Sequence, residues 1–224
     1  MTKRILLFGA VLALMVLGAS GCGLLSEPAA PSGELEAAPV QAETSGDATV
    51  YTIEPLTSKV RFELDEVLRG NPVTVVGVSD QVTGEIAADL NDLSTAQVGE
   101  VQINARSLAT DNNFRNRAIN NKILQTGAFE FITFAPTGTS GLSGSAAVGD
   151  TVEFTIDGDL TIRDITQPVT FNVVAVPVSD SQLEGTASAV VQRADYGLVI
   201  PNVPDVADVE EEVELYIDFV ANAS

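Results

Sequence analysis

Residues 151–178 read TVEFTIDGDLTIRDITQPVTFNVVAVPV, and this stretch decides the fold. Apolar or small residues occupy every second position from Phe154 to Ile162, the pattern of a half-buried strand. Residues 163–166 carry a chain reversal, and the same alternation resumes after Pro168, which suits a position where no ladder N–H is needed. The stretch predicts a two-faced hairpin. Because such a hairpin is marginal alone, it needs further strands to cover its apolar face.

The N-terminus carries an export signal. Lys3 and Arg4 precede a 13-residue apolar run at 5–17, which is too short for a spanning helix and typical of a secretory signal. Residues 19–21 are small and lead into Cys22, the only cysteine, in an order that resembles the bacterial lipobox. The alternative is a stray or buried cysteine after an ordinary signal. The sequence predicts a signal peptide over 1–21 and Cys22 as the lipid anchor of an exported bacterial lipoprotein. Such a protein is membrane-anchored, periplasmic or at the cell surface, and which membrane holds it stays open.

The charge balance is strongly acidic. After removal of residues 1–21, which hold Lys3 and Arg4 and no acid, 9 basic side chains face 31 acidic ones, a formal charge of −22. Phosphate binding needs the opposite sign, so nucleic acid is not expected as a partner. Solubility is the favoured role of this charge, ahead of cation binding.

Composition divides the mature chain into two parts. Residues 22–48 contain three prolines and scattered small and acidic residues, without an aromatic side chain, and predict a flexible linker behind the anchor. From residue 49 to 224, strand patterns alternate with turn signals, which is typical of an antiparallel meander. With no internal repeat, eight or nine strands favour one closed β-barrel in an all-β domain.

One segment departs from strand periodicity. Around residues 112–124, Ile119 and Ile123 lie four apart, and Arg115, Arg117 and Lys122 interrupt them. This spacing predicts a short helix or wound loop with one apolar side. The segment also concentrates three of the nine mature basic residues in a very acidic chain, and that makes it the most informative local anomaly.

Motifs along the folded region resemble a known family. They are, in order, Tyr51-Thr52-Ile53-Glu54-Pro55, the central Arg115-Asn116, the run from Gly158 to Val169, and Arg193-Ala194-Asp195-Tyr196-Gly197. Together they resemble the YceI family, bacterial periplasmic lipocalin-like proteins associated with polyisoprenoid binding. The resemblance implies a lipocalin-like barrel of about eight strands and an apolar ligand. Family members often carry histidines, but this chain has none, so no chemistry of those histidines carries over.

The residues themselves indicate where a ligand would lie. An eight-stranded barrel is just wide enough to be filled by side chains or to hold one slender molecule. Small residues on the apolar faces are expected to leave space beside aromatic rings, and bulky neighbours that fill this space are the alternative. The predicted cavity residues are Phe62, Gly84, Phe131, Phe154, Gly158, Leu160, Phe171, Gly185, Ala187 and Ala189. Arg115, Arg117 or Lys122 is expected to meet a polar head group at the mouth.

The chain lacks the residues that several kinds of catalysis and metal binding require. Without histidine, and with Cys22 as an anchor, nucleophilic pairs and zinc or copper sites are not expected. Asp157, Asp159 and Asp164 could be drawn as a calcium site, but alternation places the first two on the solvated face. We therefore predict no enzyme, no metal and no cofactor.

Two functions stay open at this stage. One is a carrier or store for an isoprenoid or another long apolar lipid, and the other is a structural or adhesive surface module with a filled barrel. A lipid enzyme working through carboxylates is disfavoured. The sequence leaves the lipid and the oligomeric state unassigned.

Overall fold

The computed structural model describes residues 27–33, 35–40 and 48–224. Within these ranges the chain forms thirteen strands, all paired antiparallel. Their bounds are β1 Thr49–Ile53, β2 Lys59–Leu68, β3 Asn71–Ser79, β4 Val82–Thr83, β5 Glu85–Asp89, β6 Asp92–Val98, β7 Val101–Asn104, β8 Phe131–Ser140, β9 Val152–Ile162, β10 Ile165–Ser179, β11 Gln182–Gln192, β12 Val206–Ala207 and β13 Glu212–Ala223.

Short interruptions divide what are, in effect, eight long segments of a barrel. The first segment consists of β1 and β2, the second of β3 to β5, and the third of β6 and β7. The other five segments are single strands, namely β8, β9, β10, β11 and β13. Each segment pairs with the next, and β13 pairs with both β1 and β2, so the sheet closes on itself. The predicted all-β, lipocalin-like antiparallel barrel is confirmed.

Strands β9 and β10 form the hairpin at residues 151–178. Strand β9 pairs over more residues with β10 than with its other neighbour, β8. The register of the hairpin runs from Ile162↔Ile165 to Val152↔Ala175. Strand β10 starts three residues before Pro168, and Pro168 pairs only with β9 because β11 joins β10 from Asn172 onward. A proline is tolerated there because its missing N–H faces no second strand.

The turn of this hairpin is held by Arg163. This residue takes a positive φ of 59°, which is uncommon for a residue with a side chain. Its guanidinium donates hydrogen bonds to the carbonyl oxygens of Ile123, at 3.2 Å, and Gly197, at 3.4 Å. The turn therefore ties together two irregular segments that lie at the same end of the barrel.

The two ends of the barrel differ. The helical end carries the 69–70 and 163–164 turns and the irregular segments 105–130 and 193–211, whereas the turn end carries the loops at 90–91, 141–151 and 180–181. Segment 105–130 contains helix α1, Asn113–Ala118, followed by a π-helical turn at Ile119–Ile123, which confirms the helical segment expected there. The Asn112 side chain caps α1 by accepting from the backbone N–H groups of Phe114 and Arg115.

Inside the barrel, aromatic rings lie against glycines of neighbouring strands. A Cβ at Gly158 would meet the Phe134 ring at 2.6 Å, and one at Gly185 would meet the Phe219 ring at 2.6 Å. Gly77 accommodates the Phe62 ring in the same way. The expectation that small residues leave open space is therefore wrong at Gly158 and Gly185, because each glycine makes room for a ring.

Candidate functional site

The helical half of the barrel encloses a cavity of about 590 Å³. This volume lies within the range of small-molecule binding sites, roughly 300–1,000 Å³. Most of its walls are aliphatic or aromatic, and inward-facing strand positions contribute Val60, Phe62, Leu64, Val75, Ile103, Ile132, Phe134, Leu160, Ile162, Phe171, Val191, Val213, Leu215 and Ile217. Phe114 and Val203 also line it while 73% and 38% exposed, so the cavity reaches the protein surface at the helical end.

The lining of this cavity includes an aromatic pair. The rings of Phe134 and Phe171 meet edge to face, with centroids 4.8 Å apart and planes at 67°. Beyond them, toward the turn end, lies a second cavity of only about 90 Å³, whose lining includes Phe154, Ile156, Val173, Ala187 and Phe219. Ile217 lines both cavities, so the small cavity adjoins the large one.

A buried ion pair between Glu66 and Arg115 interrupts the apolar lining. In β2 the inward-facing positions are Val60, Phe62, Leu64, Glu66 and Leu68, so Glu66 points into the barrel, and its side chain is only 8% exposed. The Arg115 guanidinium, placed by helix α1, donates to Glu66 Oε1 at 2.9 Å. Its other amino group donates to Asp111 Oδ1 at 2.6 Å. The cavity thus combines an apolar body with this buried ion pair, and Arg69, Asp205 and Arg193 also belong to its lining.

Segment 193–211 forms the opposite side of the opening. Leu198, Ile200, Val206 and Val209 line the cavity from it. Arg193 holds this segment in place, because its guanidinium donates to the carbonyl oxygens of Leu198, Val209 and Glu210 at 2.9–3.3 Å. Through these hydrogen bonds, the Arg193 guanidinium fixes the backbone of this cavity wall.

The residues predicted to bind an apolar ligand fall into three groups. Phe62, Leu160 and Phe171 line the large cavity, and Phe154 and Ala187 line the small one. The remaining five lie outside both linings: Gly84, Phe131, Gly158, Gly185 and Ala189. Phe131 is 37% exposed and faces outward, since Ile132 and Phe134 take the inward positions of β8. Ligand contact by any of the ten stays a prediction.

The three predicted head-group residues also separate. Arg115 lines the large cavity, whereas Arg117 and Lys122 lie outside its lining. Arg117 forms an ion pair with Glu27 at 3.3 Å, and its guanidinium lies 5.9 Å from the centre of the Phe114 ring. Lys122 is exposed to solvent. Of the three side chains, Arg115 alone is placed to meet a ligand inside the barrel.

Two parts of the site escaped the sequence reasoning. Glu66 could have been found, because strict alternation from Val60 to Leu68 places a carboxylate on the apolar face of β2. The cavity wall at 193–211 is harder to recognise, since its aliphatic residues follow no strand or helix period. Cys22, the predicted anchor, lies outside the described residues, as does the signal peptide. In the part of the chain that the structure describes, no helix has the length and hydropathy to span a bilayer.

The fold and the site together define a lipocalin-like barrel with a large apolar cavity that opens at the helical end. The chain belongs to the YceI-like domain family, whose model matches residues 51–221.

The chain is also similar to other bacterial proteins and to solved structures. A UPF0312 protein of Staphylococcus aureus is 28% identical over 160 residues, covering 67% of this chain and 82% of the relative. The fold is similar to that of a polyisoprenoid binding domain from Saccharophagus degradans implicated in plant cell wall breakdown, with a TM-score of 0.61, 13% identity, and coverage of 79% of this chain and 99% of the other. Burkholderia cenocepacia BcnA gives a TM-score of 0.59 at 17% identity, covering 76% and 99%.

Proposed function

We propose that this protein binds an isoprenoid or another long apolar lipid inside its barrel, as a non-enzymatic carrier or store. The observation that carries the proposal is the apolar cavity of about 590 Å³ that opens at the helical end. A polyisoprenoid binding domain is among the proteins of similar fold, which supports the same class of ligand. An apolar tail would be stabilised by leaving water at roughly 25 cal/mol per Å² of buried apolar area.

The ligand's polar head lies at the pair of Arg115 and Glu66. The positive charge of Arg115 is already compensated by Glu66 at 2.9 Å and by the exposed Asp111 at 2.6 Å. A phosphate placed at Arg115 would face the Glu66 and Asp111 carboxylates as well as this guanidinium, so repulsion would offset part of its attraction to Arg115. An uncharged head that accepts a hydrogen bond, such as a quinone carbonyl or an alcohol, suits this pair better.

The polar groups of the site favour binding over catalysis. Arg115 and Glu66 neutralise each other, and Arg193 is occupied by three backbone carbonyls. The chain contains no histidine, and its single cysteine is Cys22. The chain therefore lacks the histidine-activated serine or cysteine that covalent catalysis commonly uses.

The site is held outside a bacterial membrane by acylated Cys22. Support comes from the basic start, the 13-residue apolar run and the small residues before the cysteine. Two or three acyl chains hold a protein on a bilayer far more firmly than one chain does.

Native mass spectrometry of the mature chain in mild detergent tests the proposal, with extraction of whatever lipid is bound. We expect a discrete co-purifying isoprenoid and, on titration, stronger uptake of a quinone or polyprenol than of a polyprenyl phosphate. A mass without ligand, and no uptake of any of the three lipids, would favour the structural or adhesive module instead.

A further inference from the structure

Part of the predicted linker lies on the barrel. We call residues 27–33 and 35–40 the N-terminal strap. The backbone N–H of Val40 donates to Glu85 Oε2 at 2.8 Å, and the N–H of Ser32 donates to Glu130 Oε1 at 2.7 Å. The carbonyl oxygen of Ala30 accepts from Arg106 at 3.1 Å. Each of these contacts joins the strap to a side chain of the folded domain.

The strap runs toward the helical end. Its Val40 contact is with Glu85 in β5, whereas Arg106 and Glu130 belong to segment 105–130 at the helical end. Arg106 and Glu130 also form an ion pair at 2.8 Å, with side chains only 15% and 11% exposed. With the strap docked, this pair is largely shielded from water, and a charge-assisted hydrogen bond is stronger there than at an open surface.

The first described residue of the strap lies at the cavity mouth. Glu27 forms an ion pair with Arg117 of helix α1 at 3.3 Å, and Arg117 lies over the ring of Phe114. Three exposed apolar side chains of this end form what we call the mouth rim: Phe114, Val199 and Val203, exposed by 73%, 74% and 38%. Single exposed apolar residues are ordinary, but these three lie on the two segments that flank one opening.

Cys22 precedes Glu27 by five residues. Even a fully extended chain of that length reaches at most about 18 Å, at 3.6 Å per residue. The acylated cysteine that the proposed function requires must then lie near the helical end. Without the strap, by contrast, the barrel would be tethered from Thr49 at its turn end, and either end could face the membrane.

We propose that the strap orients the barrel so that the mouth rim rests on the lipid bilayer in which acylated Cys22 is inserted. This inference rests on the anchor and the ligand of the proposed function. The occupant of the rim is a lipid surface, because the membrane-inserted end of the chain leads there and because aromatic and aliphatic side chains partition into a bilayer interface. A lipid tail can then pass between bilayer and cavity without crossing water.

The charges near the rim are mixed. Arg117 and Lys122 are basic, while Asp111 is acidic and its side chain is 88% exposed. Attraction to an anionic surface therefore contributes little, and the acyl anchor supplies the high local concentration that makes a weak rim contact effective. A zwitterionic bilayer is accordingly the right test surface.

The test places a fluorophore at either end of the full mature, acylated protein. Because the Cys22 thiol is acylated, Val199→Cys labels the rim alone, and Val148→Cys, 52% exposed on the 141–151 loop, labels the turn end. The proteins are reconstituted in phosphatidylcholine vesicles that carry nitroxide-headgroup lipids. We expect severalfold stronger quenching at residue 199 than at 148. Equal quenching, or stronger quenching at 148, would overturn the proposal.

A strap variant tests whether the strap causes this orientation of the barrel. Ser32→Pro removes the N–H that binds Glu130, while the matched control Ser32→Ala keeps it. The 199-to-148 quenching ratio should fall toward one in Ser32→Pro and stay high in Ser32→Ala. A ratio that survives Ser32→Pro would overturn the strap as the orienting element. Shielding of residue 199 that persists in detergent and grows with protein concentration would assign the rim to a second copy of the chain and overturn the bilayer as its occupant.

Two controls separate this inference from the proposed function. The intact mass shows whether Cys22 is acylated, and uptake of a quinone in detergent shows whether the cavity binds lipid. Acylated, quinone-binding protein with a quenching ratio of one would contradict the orientation alone. Unacylated protein would contradict the anchor, and the orientation would fall with it. Acylated protein that fails to take up the quinone would contradict the proposed ligand, whatever the ratio.

Discussion

The two ends of this barrel are built from the same kinds of side chain and reach opposite results. At the turn end, Phe219 covers Gly185 of the neighbouring strand, and only about 90 Å³ stays open. At the helical end, Phe62 covers Gly77 in the same manner, yet a cavity of about 590 Å³ lies beside it. The types of side chain at the two ends therefore do not explain why only the helical end has a large cavity. The difference comes from what covers each end: loops between strands at one, and at the other a helix and a long irregular segment whose side chains line the cavity.

The largest expected effect compares these two matched rings. Phe219→Ala should destabilise the fold by about 3–5 kcal/mol, because Phe219 is 6% exposed and borders only the small cavity. Phe62→Ala should cost less, since one side of its ring already borders the open cavity, but it should weaken lipid uptake. Chemical denaturation and quinone titration of both variants check this. Equal losses of stability would mean that the helical end is packed as tightly as the turn end.

The next effect concerns the ion pair at the mouth. Arg115→Met leaves the Glu66 carboxylate, 8% exposed, without its cationic partner, and should cost about 2–3 kcal/mol of stability. The double variant Glu66→Leu with Arg115→Met removes both charges and should recover most of that loss. Denaturation measures the stability, and titration with a quinone and a polyprenyl phosphate measures head-group preference. A double variant that binds the quinone unchanged would show that the head lies elsewhere.

A third prediction uses two adjacent residues on opposite faces of β11. Val191 lines the large cavity and is 8% exposed, whereas Val190 points outward and is 59% exposed. Val191→Trp should fill part of the cavity and weaken lipid binding at least tenfold, about 1.4 kcal/mol. Val190→Trp, the same change one residue away, should leave binding unaltered. If both variants bind lipid like the parent, the ligand does not occupy this cavity.

The sequence predicts the barrel because alternation is a local signal that repeats in every strand. The same signal extends to Glu66, which interrupts the apolar face of β2, although Glu66 is not among the predicted site residues. Whether an aromatic ring fills the space beside a glycine depends instead on the register between strands, which places Gly185 opposite Phe219. The sequence of a single strand does not contain that register. The strap is further still from prediction, because Ser32 and Glu130 are 98 residues apart and nothing in the composition of a proline-containing linker indicates that it docks.

The smallest expected effect is a pH dependence of strap docking. The strap links the two ends of the barrel. Burial raises the pKa of Glu130, but hydrogen bonds from the backbone and side chain of Ser32 and from Asn104, together with the charge of Arg106, outweigh it and hold the pKa below its ordinary value. A lowered pKa means that the docked strap favours the carboxylate, so docking is strongest above the ordinary pKa and weakens as the pH falls through the lowered value.

Hydrogen exchange at the Ser32 amide measures this dependence. We expect protection at neutral pH that declines in acid, and a Glu130→Gln variant whose protection is weaker at neutral pH and changes less with pH. Ser32→Ala offers the matched comparison, because it keeps the N–H while removing the side-chain contribution to the lowered pKa. Protection of Ser32 that stays constant into strong acid would mean that apolar packing, and not the Glu130 carboxylate, holds the strap against the barrel.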